Sequence, residues 1–206
     1  GALLSGGLDS SIMVALLSKI SKEPVKTFTT GFGHKLDEFK EARIVSEYYN
    51  TDHREIKLSY KDLTNSLPTI LWHMEFPFGR PSILSNFLVS KEVKKYVTVA
   101  YTGEGSDELF GGYNRYLIYT NKNKMSLTEK INSIPSGFFP TSLDRKNFFS
   151  SKLTESPSNE TNPNIAFSKI SEKNQNHNLL NQVLLFELKT EIPGAQTWRI
   201  RSEESR

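Results

Sequence analysis

Apolar and polar positions change period along the first hundred residues, and the change predicts strands separated by helices. Short apolar or β-branched runs, typical of buried strands, occupy residues 2–4, 25–32, 52–58 and 97–101. Apolar residues at helical spacing occupy residues 10–20, 36–50, 60–74 and 82–96. Pro68 predicts a break or kink within the third of these helices. The chain therefore alternates strand and helix.

This alternation predicts the fold class. Strands joined through helices favour right-handed crossovers and an α/β, Rossmann-like architecture, with a parallel sheet covered by helices on both faces. A chain of 206 residues with 36% hydrophobic content can bury one sizeable core. Residues 120–178 are polar, with a mobile loop expected at 154–164. We therefore expect a polar, more helical C-terminal part.

Charge and composition exclude several classes of function. A net charge of +3 is too small to indicate a nucleic-acid partner. The absence of cysteine excludes disulfides, thiolate metal sites and a cysteine nucleophile in this chain. Its apolar runs are far shorter than the roughly 18 residues that cross a bilayer, so no membrane association is expected. Gly1 begins almost inside a strand without a basic leader, and we expect a cytoplasmic fragment of a longer protein.

The stretch "LLSGGLDSS" at residues 3–11 has the order strand, tight loop, helix. Glycines let the backbone turn and let an anion approach the amides, while a helix start presents free N–H groups and a partial positive charge. This pattern predicts a phosphate-binding loop at the carboxyl edge of the sheet, where ligands bind in such folds. The alternative is an ordinary turn in which serine and aspartate cap the helix.

A second strand, glycine-rich loop and helix follow at residues 97–116, "VTVAYTGEGSDELFGGYNRY". Glu104 and Asp107 lie at this loop, in the position that Asp9 has after the first strand. Carboxylates on two neighbouring loops beside a phosphate site would bind Mg²⁺, which prefers one or two carboxylates with phosphate oxygens and water. Alternatively, Asp107 is a first-turn helix acid and Glu104 is merely solvated.

Other phosphate and hydrolase motifs are absent from the sequence. Lys19 is the first lysine after the glycine pair, so the Walker pattern is missing, and no dinucleotide fingerprint follows the first strand. The G-x-S-x-G elbow of serine hydrolases is missing as well. The four histidines show no metal-ligand spacing.

Three ordered motifs carry a resemblance to a known family. "SGGLDSS" resembles the signature of ATP pyrophosphatases, and "TGEGSDELFGGY" is similar to the synthetase domain of glutamine-dependent asparagine synthetases. "EFPFGRPSILSNFLVSK" at 75–91 resembles the segment between the two nucleotide loops, and "LLNQVLLFELKTEIP" at 179–193 the helix before the substrate-binding end. The resemblance implies an adenine nucleotide alpha-hydrolase fold. It divides the synthetase domain, residues 1–206, into a nucleotide-binding core (1–118), a polar variable region (119–178) and the start of the substrate-side helical part (179–206).

The resemblance implies ligase chemistry. The side-chain carboxylate of aspartate attacks the α-phosphate of ATP to give an aspartyl adenylate and pyrophosphate, and ammonia then displaces AMP to give asparagine. In the family the ammonia comes from a glutaminase domain with an N-terminal cysteine, which this chain lacks. A homodimer is a further expectation.

The family's functional residues map onto this chain as follows. The residues expected at pyrophosphate are Ser5, Gly6, Gly7, Asp9, Ser10 and Ser11. Those expected at adenosine are Leu4, Thr30, Thr102 and Gly103. Asp9 and Asp107 are the expected Mg²⁺ ligands, and Glu104 is expected to face the acyl adenylate.

The sequence also departs from the family, chiefly at the substrate end. Phe76 and Arg80 replace usual acidic residues, and "WRIRSEESR" at 198–206 stands where Asp-Arg and Ser-Met are typical. Two alternatives therefore stay open. One is a β-lactam synthetase or peptide cyclase that adenylates another carboxylate, and the other is a nucleotide-binding module without turnover. Residues 1–206 alone are expected to bind ATP weakly and to make no asparagine from glutamine.

Overall fold

A computed structural model describes residues 1–74, 82–120 and 163–191. The described residues belong to two compact units, of which the first holds Gly1–Glu104 and the second begins at Gly105. No helix in the described part of the chain is long and apolar enough to cross a bilayer.

The first unit alternates strand and helix, as the hydrophobic pattern predicts. Its elements are β1 (Ala2–Leu3), α1 (Leu8–Ile20), β2 (Lys26–Gly31), α2 (Phe39–Tyr49), β3 (Asp52–Lys57), α3 (Tyr60–Met74) and α4 (Ser82–Val93). All three strands are parallel, in the order β1-β2-β3. The register pairs Leu3 with Phe28, and Phe28 in turn with Arg54. The predicted α/β class is confirmed.

Both faces of the sheet are covered by helices. On one face, Ala2 and Leu4 pack with Val14 of α1 and Ala42 of α2. On the other face, Leu3 and Phe28 pack against Val89 and its neighbours on α4. Successive residues of β1 thus point into different cores, as side chains alternate along a strand. A strand buried on both sides reads as the unbroken apolar run seen at residues 2–4.

The strand predicted at residues 97–101 does not form. Only Tyr101 pairs, in a parallel bridge with Ala2, and residues 97–100 belong to no strand. Tyr101 N donates to Gly1 O, and Leu3 N donates to Tyr101 O. β1 is two residues long, and a bond from the N-terminal nitrogen of Gly1 to Val99 O at 2.9 Å joins this run without extending the strand pairing. A β-branched run without a partner strand cannot form a ladder of backbone hydrogen bonds. Whether residues 97–101 form a strand therefore depends on the neighbouring strand more than on their β-propensity.

The bridge at Tyr101 also locates the point where the sheet reverses. β2 lies beside β1 on one side, with Leu4 N donating to Phe28 O, and Tyr101 lies on the other side. In open parallel sheets, ligands bind beyond the carboxyl ends of the strands at such a reversal. The loop that follows β1 lies at this position.

The break or kink predicted at Pro68 is not a break, because α3 runs without interruption from Tyr60 to Met74. Proline inside a helix costs about 3 kcal/mol. Beyond the proline, Ile70 and Met74 are 2% exposed and pack with Ile83 of α4. Burying each of these side chains contributes about 1.5–3 kcal/mol, which together offsets the cost of the proline.

The regular elements described in the second unit are all helices. It contains α5 (Ser106–Phe110), a 3₁₀ turn (Asn114–Tyr116), α6 (Leu117–Thr120), α7 (Pro163–Lys173) and α8 (Leu179–Glu191). Aromatic residues dominate its core, where Tyr116, Phe167 and Phe186 are at most 1% exposed. The more helical C-terminal part is therefore confirmed, while the subdivision at residues 118 and 178 stays a prediction.

Candidate functional site

The loop after β1 turns sharply at Gly6, which has φ +85°. A Cβ at this position would overlap the backbone of Glu41 and lie 2.7 Å from Ala42 N, both on α2. Glycine is therefore required twice, by the left-handed backbone and by the space beside α2. The contact holds the predicted phosphate loop against the α2 helix.

Serine hydroxyls shape the same loop from inside. Ser5 N donates to Ser10 Oγ at 3.2 Å, and Gly7 N donates to Ser5 Oγ at 3.2 Å. Ser11 Oγ and Ser10 Oγ both donate to Gly7 O, at 2.7 Å and 3.2 Å. These hydrogen bonds stabilise the turn of the loop. The serine hydroxyls therefore have a structural role in addition to the one expected of them at pyrophosphate.

The start of α1 supplies the donors that suit an anion. α1 has Gly7 at its N-cap with no side-chain cap, and its first backbone bond joins Ser11 N to Gly7 O. The N–H groups of Leu8, Asp9 and Ser10 precede that bond, as the first amides of any helix do. Together with the helix dipole they form an arrangement that favours phosphate.

The two predicted nucleotide loops meet inside the first unit. Gly103 packs against the first turn of α1, where a Cβ would lie 3.3 Å from both Asp9 Cβ and Ser10 N. Glu104 N donates to Thr102 Oγ1 at 3.2 Å, which closes the second loop. The sequence predicted this convergence, and the contact at Gly103 is the geometry that supports it.

Glu104 is exposed, and α4 orients it. Asn86 Nδ2 of α4 donates to Glu104 Oε1 at 3.3 Å. Asn86 belongs to the segment 75–91 that resembles the family, although residues 75–81, including Phe76 and Arg80, lie outside the described part of the chain. Residues 154–162 and 192–206, on which the predicted mobile loop and the divergent substrate end depend, also lie outside it.

Two of the residues expected at adenosine, Leu4 directly after β1 and Thr30 in β2, differ in environment. Leu4 is 2% exposed, whereas Thr30 is half-buried near the end of β2. The Thr29 hydroxyl donates to the Leu4 carbonyl. The backbone of β1 is therefore tied to β2 immediately before the phosphate loop.

A polar ladder formed by the side chains of Thr29, His53, Thr27 and Thr51 is a feature that the sequence did not predict. Thr29 Oγ1 lies 3.5 Å from His53 Nε2, and Thr27 Oγ1 lies 2.9 Å from His53 Nδ1. The ladder continues from Thr27 Oγ1 to Thr51 Oγ1 at 2.7 Å. Burial lowers the pKa of His53, and the nearby Arg43 adds to the effect against the opposing charge of Glu55. Threonines at alternate, buried positions on either side of Phe28 were the available signal.

Asp107 lies in the second unit, in the first turn of α5. Its joint role with Asp9 in binding Mg²⁺ stays a prediction. Across the described residues, no group of three or more histidine or carboxylate side chains gathers as a metal site. The expected site needs only two carboxylates, because phosphate oxygens and water supply the other ligands of Mg²⁺.

Comparison with known proteins identifies a family for this chain. Residues 1–198 match the family model described as asparagine synthase. Asparagine synthetase [glutamine-hydrolyzing] 1 of Bacillus subtilis is 38% identical over 138 residues, which cover 66% of this chain and 21% of that protein. A putative asparagine synthetase [glutamine-hydrolyzing] 2 of Methanocaldococcus jannaschii is 36% identical over 132 residues, 64% of this chain and 25% of that protein. The maize asparagine synthetase [glutamine-hydrolyzing] is 33% identical over 137 residues, 60% of this chain and 23% of that protein.

The matched part therefore spans about a fifth to a quarter of these curated relatives. The family match, in contrast, extends over nearly the whole chain and includes both predicted nucleotide loops. This chain belongs to the asparagine synthase family.

Proposed function

We propose that this chain binds ATP and that the intact protein uses it to form asparagine. Aspartate would attack the α-phosphate through its side-chain carboxylate, and ammonia would displace AMP from the resulting adenylate. The observation that carries the proposal is the contact of Gly103 with Asp9 and Ser10, which unites the two loops at one end of the sheet. The relatives' names supply the product, asparagine.

The described residues have distinct tasks in this reaction. The first-turn amides of α1 and the glycine loop suit the charge that develops on the departing pyrophosphate. Asp9 and Asp107 are assigned to Mg²⁺, which when bound neutralises part of that charge. Glu104, oriented by Asn86, is assigned to the acyl group, where a carboxylate can accept a proton from attacking ammonia. A glutaminase part as ammonia source, a homodimer and a cytoplasmic location stay predictions.

Exchange of labelled pyrophosphate into ATP tests the proposal in the intact protein. Aspartate should support exchange, and complete turnover should release AMP and pyrophosphate. Exchange with a different carboxylic acid would identify a related amide-forming enzyme instead. Absence of exchange with every acid would leave only nucleotide binding, and release of ADP with orthophosphate would contradict the proposed attack at the α-phosphate.

A matched pair of variants tests the assignment of Asp9. Asp9→Asn should lower exchange by roughly 10²- to 10³-fold, the loss typical of a preorganised group that stabilises transition-state charge. Asp52→Asn is the control, since the Asp52 side chain forms an exposed ion pair with Arg54 on β3. Normal magnesium-dependent exchange in Asp9→Asn would remove this residue from the site.

A further inference from the structure

The chain turns back after the C-terminal end of α5, toward Asp107 in the first turn of this helix. α5 is five residues long and is followed by its C-cap Gly111, which has φ +73°. Gly111 N and Gly112 N both donate to the Asp107 carbonyl, at 2.8 Å and 3.0 Å. These two hydrogen bonds to one carbonyl place Gly112 beside the Asp107 side chain.

Gly112 touches the Asp107 carboxylate itself. A Cβ at position 112 would overlap Asp107 Oδ1 and would lie 3.1 Å from Asp107 Cγ. Gly112 does not have the positive φ found at Gly111, so its backbone conformation is open to any residue. At Gly111 the backbone favours glycine, whereas at Gly112 the carboxylate fills the space that a side chain would need.

Contacts of Tyr113 and Arg115 hold the segment that follows Gly112. Tyr113 OH donates to Glu108 Oε1 at 3.0 Å, and the Arg115 guanidinium lies 4.1 Å from the centre of the Tyr113 ring. Arg115 Nη2 donates to Glu187 Oε2 of α8 at 2.7 Å. Burial and the bond to Glu108 raise the pKa of Tyr113, so this hydroxyl remains a donor. With the segment held in this way, a larger residue at 112 would displace the carboxylate and not the backbone.

We propose that Gly112 is a positioning residue for the Asp107 carboxylate. Because Gly112 has no side chain, the carboxylate can lie against the loop that follows α5. Glu187 of α8 holds that loop through its bond with Arg115. The inference rests on the proposed function, in which Asp107 binds Mg²⁺. Residues that orient a metal ligand typically contribute 10- to 100-fold to metal affinity.

Gly112→Ala and Gly111→Ala form a matched pair in the intact protein. Crystal structures of both variants report the Asp107 side-chain torsion, and calorimetric titration of Mg²⁺ at saturating ATP reports metal affinity. Gly112→Ala should rotate the carboxylate and weaken Mg²⁺ binding about 10- to 100-fold. A Cβ at Gly111 would make ordinary contacts with Leu184 Cδ1 at 3.8 Å and Tyr116 Cδ2 at 3.9 Å and none with the carboxylate, so Gly111→Ala should lower the unfolding midpoint and weaken Mg²⁺ binding less than Gly112→Ala does.

An unchanged carboxylate in Gly112→Ala would overturn the proposal, and so would equal losses of Mg²⁺ affinity in the two alanine variants. Asp107→Asn separates the positioning claim from the proposed function. If Asp107→Asn keeps wild-type Mg²⁺ affinity, the metal role of Asp107 is wrong and the functional half of the proposal fails. The crystal structure of Gly112→Ala still decides the steric half in that case.

Discussion

Replacing Gly6 with alanine combines two costs that the structure separates. The left-handed conformation at φ +85° costs a residue with a Cβ roughly 1–2 kcal/mol. The added Cβ would also overlap the backbone of α2 near Glu41, which cannot rotate away as a side-chain end can. Overpacking of this kind costs typically about 1–3 kcal/mol. We therefore expect Gly6→Ala to lower the free energy of unfolding by about 2–5 kcal/mol.

Gly33 provides the matched control. It has φ +82°, close to the value at Gly6, but a Cβ there meets no atom of the described residues within 4 Å. Gly33→Ala should therefore pay only the conformational cost, about 1–2 kcal/mol, reduced by the smaller entropy of the unfolded chain. The difference between the two variants measures the contact of the phosphate loop with α2.

Two assays on the same variants complete the experiment. Denaturant unfolding reports the free energies, and calorimetry with a non-hydrolysable ATP analogue reports affinity. Gly6→Ala should lose stability and ATP affinity together, because relieving the overlap moves the loop that ends at α1. Gly33→Ala should retain the affinity. Equal stability losses in both variants would refute the steric argument, and wild-type ATP affinity in Gly6→Ala would refute the role of this loop in binding.

Two further predictions concern the polar ladder. Thr29→Val deletes the hydroxyl that donates to the Leu4 carbonyl, so it should cost about 0.5–1.5 kcal/mol of unfolding free energy and weaken ATP binding. Thr51→Val, farther along the ladder, should cost similar stability and leave ATP binding unchanged, as unfolding and calorimetry would show. The pKa of His53 is lowered in the folded state by burial, so the unfolded chain takes up this proton first as pH falls. The contribution of His53 to the free energy of unfolding is therefore complete above about pH 6.5 and declines below it. His53→Gln should reduce this decline when unfolding is followed between about pH 7.5 and about pH 5.5, and an identical decline in the variant would contradict the assignment.

The sequence by itself determined the parts of the fold that depend on local periodicity and turn chemistry. The helix at residues 60–74 and the strand at 52–57 match their hydrophobic patterns closely. Gly6 and Gly7 predicted the tight turn between β1 and α1, where Gly6 has a left-handed backbone that favours glycine. The Gly-rich stretch at 103–112 likewise predicted a second loop followed by the short helix from Ser106.

Tertiary structure decided what depends on neighbours distant in the chain. The run at 97–101 has strand propensity but finds a partner only at Tyr101, and Pro68 stays inside a helix because residues beyond it are buried against α4. The contact of Gly103 with Asp9 joins positions that are 94 residues apart in the chain. No local pattern encodes such contacts, because they arise from the register of the sheet and the packing of helices on it.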